Sequence, residues 1–494
     1  MANTYQHGSF ALLGDSVAKS AIQAGTVPVY IGLAPVNLIK NYKNSEIINL
    51  PVKLSDFMNS QKTVGYSTDW DKFTLCEAIG AHFDNKLGGI GPIYVINVLD
   101  PDKHKKEQAT QFSITFKNGV AEFKSDTVIL DTIALGEKVQ DTDFTVSYNF
   151  TSGKVILTSI AEEQLDGQID GSYYEVDTDA VTEDDIIGAE VNGVYTGMKA
   201  VSLLYTRENQ VANLLSCLKF NTHKKVYNAM ATFCNGINGH WQAYFVADIP
   251  VVDNSSNIDT FVKARNWRDT NGYDSERSDV YWPMAYDNST ERIYHTSTLA
   301  IVEYMRIDNE HDSIPMESCS NKEIPVTKQY FGPTSKNQGF DQVTASTELN
   351  AYGIGTLVYW GGKWVLWCGH TAKYKFGKDI DPRAIDSHYM RMLFNCMNWF
   401  QRRQANKIDK PFNAQLRDSI LNEEQDYIDG YIAVGALLEG SKILFLASEN
   451  STTDMMNGDF KFDLPVTVTP RAKSLTGRVY YTDEGLASLV EEEE

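Results

Sequence analysis

Two apolar runs and the pattern between them decide the fold: TVPVYIGLA at 26–34 and PIYVINVL at 92–99. Both runs are rich in β-branched and aromatic residues and both end at turn-forming residues, as buried strands do. The region 71–85 between them carries apolar residues at steps of three and four, at Phe73, Cys76, Ile79 and Phe83. That spacing predicts an amphipathic helix. Strand, helix and strand in this order predict a parallel sheet.

The pattern changes to alternation with period two between residues 99 and 190. The Asn118-Gly119 pair predicts a hairpin, and a second hairpin is expected from 144–149 and 155–159 around Thr151-Ser152-Gly153. The region contains no helical pattern of useful length. It is therefore interpreted as an inserted β-sandwich or small barrel.

Alternation of helices and strands resumes after residue 190. A helical stripe at Val226, Met230, Phe233 and Ile237 precedes a predicted strand at 243–249 and a helix that Ser297 would cap. A hairpin around Gly361-Gly362 follows. We therefore predict one α/β core domain, formed by 25–98 and 191–375 and interrupted by the β domain at 99–190.

The remaining sequence predicts a C-terminal α+β domain at 376–473. Its first helix starts near Pro382, with one apolar face at Met390, Leu393, Met397 and Phe400. A second helix is expected at 413–429 with Leu416, Ile420 and Tyr427 inward and Gly430 as its C-terminal stop. Strands are expected at 442–447 and 460–468. Residues 1–24 and 474–494, the latter ending in four glutamates, are interpreted as terminal arms.

Length and charge exclude several classes of protein. The 494 residues suffice for about three domains, and 65 acidic against 44 basic residues give a net charge of −21. A nucleic-acid partner is not expected, because binding phosphates requires clustered Lys and Arg. No signal peptide or apolar membrane span is recognisable. The six cysteines form no CxxC pair, which is typical of reduced thiols in a soluble cytosolic product.

No catalytic motif emerges from the sequence. GxSxG, Walker A, HExxH and GxGxxG patterns are absent. The alternative of an α/β hydrolase would need His240, an aspartate such as Asp248, and Ser335 to converge. The acidic group at 308–312 lacks the spacing of a calcium loop and is interpreted as a solvated loop. The acidic run at 177–185 is interpreted as a surface linker at the exit of the inserted domain. We predict no catalytic residues, no cofactor and no metal.

One basic cluster contrasts with the acidic background, at Arg402, Arg403, Lys407 and Lys410. Cations in this place stabilise the C-terminal end of a helix. They could also form a patch that faces an acidic protein partner.

Four segments together resemble the tail sheath proteins of contractile phages and related bacterial contractile particles. Three are TVPVYIGLAPVN (26–37), PIYVINVLDP (92–101) and LNAYGIGTLVYWGGKWVLWCGHT (349–371). The fourth is the C-terminal region with GALLEG (435–440), DMMNGDFKFDLPVTVTP (454–470) and the closing strand-like run 478–482. The similarity extends over most of the chain outside the β insert.

The resemblance implies a non-enzymatic structural subunit of the virion tail, assembled in the bacterial cytoplasm. Such subunits form helically stacked hexameric rings around an inner tail tube, and contraction drives the tube through the target envelope. The core would be subtilisin-like without catalysis, the insert would lie outside, and the C-terminal domain would face the tube. Expected partners are other copies of the chain, the tube protein, and baseplate and tail terminator proteins, without membrane insertion.

Two sets of site residues follow from the resemblance. Inter-subunit arms would use Ser9, Phe10, Leu12, Leu13, Val17, Arg478, Val479, Tyr480, Tyr481 and Thr482. The basic residues Arg402, Arg403, Lys407 and Lys410 would contact the inner tube. A baseplate or other virion structural protein is the alternative within the same class, and the hydrolase is the alternative outside it.

Overall fold

The computed structural model describes residues 22–23 and 25–489. The chain divides into two compact units, with the boundary between Glu424 and Gln425. The predicted boundaries at 98/99, 190/191, 375/376 and 473/474 remain predictions. The predicted N-terminal arm residues Ser9, Phe10, Leu12, Leu13 and Val17 lie outside the described residues.

The described residues contain α-helices of very different lengths. They are α1 (Phe57–Val64), α2 (Leu75–Phe83), α3 (Glu183–Ile187), α4 (Leu204–Glu208), α5 (Lys224–Phe233), α6 (Phe261–Asn271), α7 (Thr296–Glu310), α8 (Gln342–Glu348), α9 (Ser387–Gln404), α10 (Ala414–Ala433) and α11 (Thr452–Asn457).

The strands are mostly short. They are β1 (Ile22–Gln23), β2 (Pro28–Gly32), β3 (Pro51–Leu54), β4 (Ile90–Gly91), β5 (Ile93–Asn97), β6 (Thr110–Phe116), β7 (Val120–Lys124), β8 (Ala134–Leu135), β9 (Phe144–Asn149), β10 (Lys154–Ser159), β11 (Gly167–Tyr173), β12 (Glu190–Val191), β13 (Val194–Tyr195), β14 (Leu214–Cys217), β15 (Tyr244–Asp248), β16 (Val252–Asp253), β17 (Ser256–Asn257), β18 (Ser278–Tyr281), β19 (Met284–Asp287), β20 (Arg292–Tyr294), β21 (Lys328–Tyr330), β22 (Ile354–Trp360) and β23 (Lys363–Trp367).

An eight-stranded sheet forms the centre of the first unit, in the order β23-β22-β18-β15-β14-β2-β5-β3. The six inner strands run parallel, and the edge strands β23 and β3 are antiparallel to their neighbours. Strands β2 and β5 are fully buried, which explains their continuous apolar runs because a parallel sheet is covered on both faces. The predicted strand–helix–strand unit is therefore confirmed as β2, α2 and β5.

Helix α7 is deeply embedded in this unit. Its residues from Thr296 to Met305 are all buried, and it packs against α2, β15 and β18. Ser297 was expected to cap this helix, but that prediction is wrong. His295 occupies the cap position, and the Ser297 backbone N–H donates to Asp248 Oδ1 at 3.0 Å from inside the helix.

The strands β6 to β11 form two three-stranded antiparallel sheets, β7-β10-β9 and β6-β11-β8. Both contribute to one apolar cluster, which includes Phe116, Leu135, Phe144 and Leu157. The hairpin predicted around Thr151-Ser152-Gly153 is confirmed as β9 and β10.

The hairpin predicted at Asn118-Gly119 forms only at its turn. Both residues have positive φ, 51° and 76°, and one bridge joins Lys117 to Val120. Beyond that bridge β6 pairs with β11 while β7 pairs with β10. The dipeptide fixes the local reversal, whereas the shared apolar cluster determines which sheet each strand joins.

Helix α9 buries a face different from the predicted one. Met390 and Phe394 enter the main core, but Met397 is nearly half exposed. The buried side also carries Arg391 and Asn398, whose polar groups find partners inside the unit. An apolar stripe alone could not reveal this face, because it is partly polar.

The C-terminal region contains less regular structure than predicted. Helix α10 continues to Ala433, so Gly430 does not end it, and Tyr427 is about half exposed. The strands expected at 442–447 and 460–468 are reduced to the isolated bridges Leu444–Asp463 and Leu437–Val468. A two-strand ribbon without further partners has little stability of its own.

Candidate functional site

The three residues of the hydrolase alternative have separate partners. His240 Nδ1 lies 2.7 Å from Gln401 Oε1, and Ser335 Oγ donates to Asp259 Oδ2 at 3.3 Å. Asp248 is buried and bonded to the Ser297 hydroxyl. The triad geometry, in which a serine donates to the histidine and the histidine to the aspartate, is therefore not formed by this set.

Asp248 acts as a structural residue. Burial raises its pKa, against the effects of nearby His295 and of donors that favour the charged form. The Asn221 side-chain amide donates to Asp248 Oδ2 at 3.1 Å, and the start of α7 supplies the remaining donors. The carboxylate thereby ties β15 to α7.

The acidic groups of the sequence also serve local structure. Asp308 pairs with Arg391 inside the core, and Asp185 closes a capping box with Thr182. Among the described residues no group of three or more His, Cys, Asp or Glu side chains could hold a metal ion. In the same part of the chain, no helix has the length and apolar character needed to cross a membrane.

The basic cluster is divided by its contacts. Arg403 donates from Nε to Glu424 Oε1 at 2.9 Å and from a terminal guanidinium nitrogen to Glu424 Oε2 at 2.5 Å. Lys407 forms an ion pair with Glu423. The structure thus gives two of the four predicted tube-contact cations acidic partners on α10.

The other two members of the cluster are placed differently. The Arg402 guanidinium carbon lies 4.8 Å from the centre of the Trp399 ring, and Lys410 is exposed. A tube contact by these four residues remains a prediction, and Arg402 and Lys410 are better placed to make one.

The sequence reasoning missed Glu423 and Glu424. A usable signal was present in the sequence: α9 ends in basic residues, and the next helix, α10, carries two adjacent glutamates. Consecutive helices joined by a short loop pack antiparallel, so these charges could be expected to meet. Glu424 is completely buried and also accepts from the Gln404 amide.

The first part of the predicted C-terminal arm, up to residue 482, is irregular and exposed, and a short 3-10 helix, Glu484–Leu489, follows it. Residues 469–482 form no helix or strand, and Leu475, Val479, Tyr480 and Tyr481 are between 73% and 98% exposed. Four such apolar side chains within seven residues are unusual for a surface that stays in water.

Comparison with known proteins supports the resemblance over the whole chain. No protein-family model matches. The tail sheath protein of Burkholderia phage BcepMu is 24% identical over 514 aligned residues, which cover 99% of this chain and 99% of that protein.

Solved structures show the same fold at low identity. A chain in the baseplate of the anti-feeding prophage is 14% identical with a TM-score of 0.55, over 97% of this chain and 99% of that one. The sheath complex of the extracellular contractile injection system PVC, in its contracted state, is 9% identical with a TM-score of 0.53. The match covers 98% of this chain and 99% of that one. The contracted helical sheath of the anti-feeding prophage is 13% identical with a TM-score of 0.52, over 97% of this chain and 100% of that one.

The chain is thus similar over nearly its whole length to a phage tail sheath protein and shares the fold of contractile sheath structures, in agreement with the class predicted from the sequence. The mixed α/β fold with one large sheet agrees with that class. The relatives are named as sheath or baseplate proteins, in agreement with the structural role expected from the sequence.

Proposed function

We propose that the chain is the structural subunit of a contractile tail sheath, polymerising as stacked hexameric rings around an inner tail tube. Contraction of this polymer would drive the tube through the target envelope. The observation that carries the proposal is the exposed apolar segment of the second unit, in which Leu475, Val479, Tyr480 and Tyr481 are 73% to 98% exposed.

The proposed mode of association is the addition of strands from other copies, which relies on main-chain hydrogen bonds. Within the second unit, the segments around Leu437–Leu444 and Asp463–Val468 are joined by two isolated bridges and by further backbone hydrogen bonds, such as the one from the Leu438 N–H to the Thr467 carbonyl at 2.9 Å. They form no regular strand of a larger sheet. The predicted arms, 1–24 and 474–494, would supply such strands.

The exposed segment supplies the driving force. Burying a large apolar side chain contributes roughly 1.5–3 kcal/mol, and Leu475, Val479, Tyr480 and Tyr481 are all available. Part of this gain is lost to the entropy of association. In this proposal contraction is driven by the burial of further surface between the core domains of neighbouring subunits. It does not require the energy of nucleotide hydrolysis.

The finer arrangement follows the resemblance. The core at 25–98 and 191–375 would have a subtilisin-like topology without catalysis. The insert at 99–190 would form a β-sandwich on the outer surface, and its two three-stranded sheets around one apolar cluster support this. The domain at 376–473 would face the tube, with Arg402 and Lys410 as the contacts that the ion pairs leave available.

The proposed partners are other copies of the chain, the inner tube protein, a baseplate and a tail terminator. The location is the tail of a virion or phage-like particle, assembled in the bacterial cytoplasm. Self-assembly and baseplate association are supported by relatives solved in sheath and baseplate assemblies. The baseplate relative also keeps a baseplate subunit as the second candidate function.

Negative-stain electron microscopy tests the proposal. The full chain should form long hollow tubes, alone or with tube protein, while a chain ending at residue 473 should remain monomeric with an unchanged thermal midpoint. Val479→Asp should also prevent tubes, whereas Val343→Asp, at a position 64% exposed in the first unit, should not.

Each outcome has a separate meaning. Normal tubes from the shortened chain would refute the arm assignment. Short rings without tubes, even with tube protein present, would favour the baseplate function, and dispersed monomers under all conditions would refute both.

A further inference from the structure

Two of the six cysteines lie in contact although 49 positions separate them. Cys319 Sγ and Cys368 Sγ are 3.4 Å apart, and both residues are buried. Cys319 belongs to the irregular segment after α7, and Cys368 directly follows β23. The contact therefore joins two separate parts of the core.

The backbone around both cysteines is held in register by hydrogen bonds. The Asn321 N–H donates to the Leu366 carbonyl at 2.7 Å, and the Leu366 N–H donates to the Lys322 carbonyl at 3.0 Å. The Cys368 N–H donates to Ser320 Oγ at 3.1 Å. Residues 320–324 consequently lie along the edge strand β23, and the two sulfur atoms meet without rearrangement of either segment.

From this geometry we propose that Cys319 and Cys368 form an oxidative modification site, at which a peroxide converts the two thiols into an intramolecular disulfide. The contact distance exceeds an S–S bond of about 2.05 Å, so the two side chains must rotate toward each other as the bond forms. The product fastens the 320–324 segment to the edge of the eight-stranded sheet.

The reaction balances with hydrogen peroxide as the oxidant. One sulfur, as thiolate, attacks a peroxide oxygen, the O–O bond breaks, and a sulfenic acid and water form. The second sulfur then attacks the sulfenic sulfur and expels its oxygen as water. Two thiols and one peroxide yield one disulfide and two water molecules.

The surroundings keep the reduced pair as the resting form. Burial raises the pKa of the Cys368 thiol well above its ordinary value, with Cys319 adding to the effect. The Tyr281 hydroxyl lies 3.4 Å from Cys319 Sγ. Neutral thiols react slowly with disulfides and peroxides, so the cross-link requires an added oxidant.

Peptide mapping of the oxidised full chain tests the site. Purified protein is treated with hydrogen peroxide, denatured in N-ethylmaleimide and digested with trypsin without reduction. Peptide 307–322, containing Cys319, and peptide 364–373, containing Cys368, are expected as one species that is two hydrogens lighter than their sum. Thiol titration in denaturant should show the loss of two of the six thiols.

A matched substitution separates this pair from the other thiols. Cys319→Ala should abolish the cross-linked species. Cys76→Ala should leave it intact, since the Cys76 sulfur is buried elsewhere and accepts from the Ser67 backbone N–H. In the wild type the thermal midpoint should rise on oxidation and return after dithiothreitol, because a cross-link restricts the unfolded chain.

The wild-type digest decides the proposal even where a variant fails to fold. Separate maleimide-labelled peptides after oxidation would overturn it. So would a sulfinic acid at either residue without a cross-link, or a cross-link that joins two copies of the chain.

Discussion

Removing the Arg403 side chain by Arg403→Met is expected to destabilise the first unit strongly. Glu424 is fully buried, and Arg403 binds it through two nitrogens while remaining 10% exposed itself. Breaking a buried pair leaves an uncompensated charge, which costs about 3–5 kcal/mol. The neighbouring Gln404 amide also donates to this carboxylate, so the lower part of that range is expected.

The matched control is Arg402→Met on the same helix. Arg402 stacks on Trp399 at a partly exposed site, where a cation–π contact contributes about 0.5–1 kcal/mol. The two variants remove the same charge and the same number of donors one residue apart. Their difference in unfolding free energy should therefore report the burial of the pair.

Urea unfolding followed by tryptophan fluorescence measures both variants. In a second step, Glu424→Met is added to Arg403→Met and should restore much of the lost stability, because apolar residues can replace a buried ion pair at little cost. Equal, small losses for Arg403→Met and Arg402→Met would refute the structural role of the pair. A stable Arg403→Met variant that no longer binds tube protein would indicate that Arg403 contacts the tube instead of stabilising the fold.

Two further outcomes are expected. Burial lowers the pKa of His295, but the Glu77 carboxylate outweighs it and raises the pKa to about 9 from 6.5. The stability from this pair is therefore complete below about pH 6.5 and lost as the pH rises through 9, on the order of 3 kcal/mol. His295→Gln should flatten this part of the pH profile of unfolding, and an identical slope in wild type and variant would contradict the assignment. Gly193→Ala should cost about 1 kcal/mol from its positive φ alone, since nothing lies within 4 Å of the added methyl group. Gly188→Ala should cost clearly more in the same urea assay, because its methyl group would press on the Thr196 carbonyl, and equal losses would contradict this.

The parallel core could be predicted because its signals are local. The apolar runs at 26–34 and 92–99 and the helical stripe between them each identify an element by composition and period. The turns at Asn118-Gly119 and Gly361-Gly362 were equally readable. The pairing of β6 and β7 with other strands was not, since it depends on an apolar cluster assembled from distant residues.

The candidate site was predictable only as a charge run. The sequence shows that Arg403 and Lys407 are basic. Whether a basic side chain stabilises the fold or contacts a partner depends on which residues lie next to it. Those partners, Glu424 and Glu423, come from the next helix, and the buried side of α9 is partly polar. Neither fact can be derived from apolar periodicity.

The short stretch at 320–324 has a consequence for aggregation. Open sheet edges attract strands of any other chain, and proteins protect them by covering, charge or proline. Here the β23 edge is covered, and the opposite edge strand, β3, is only four residues long, begins with Pro51 and exposes Lys53. The largest sheet of the molecule is thereby a poor template for amyloid-like growth.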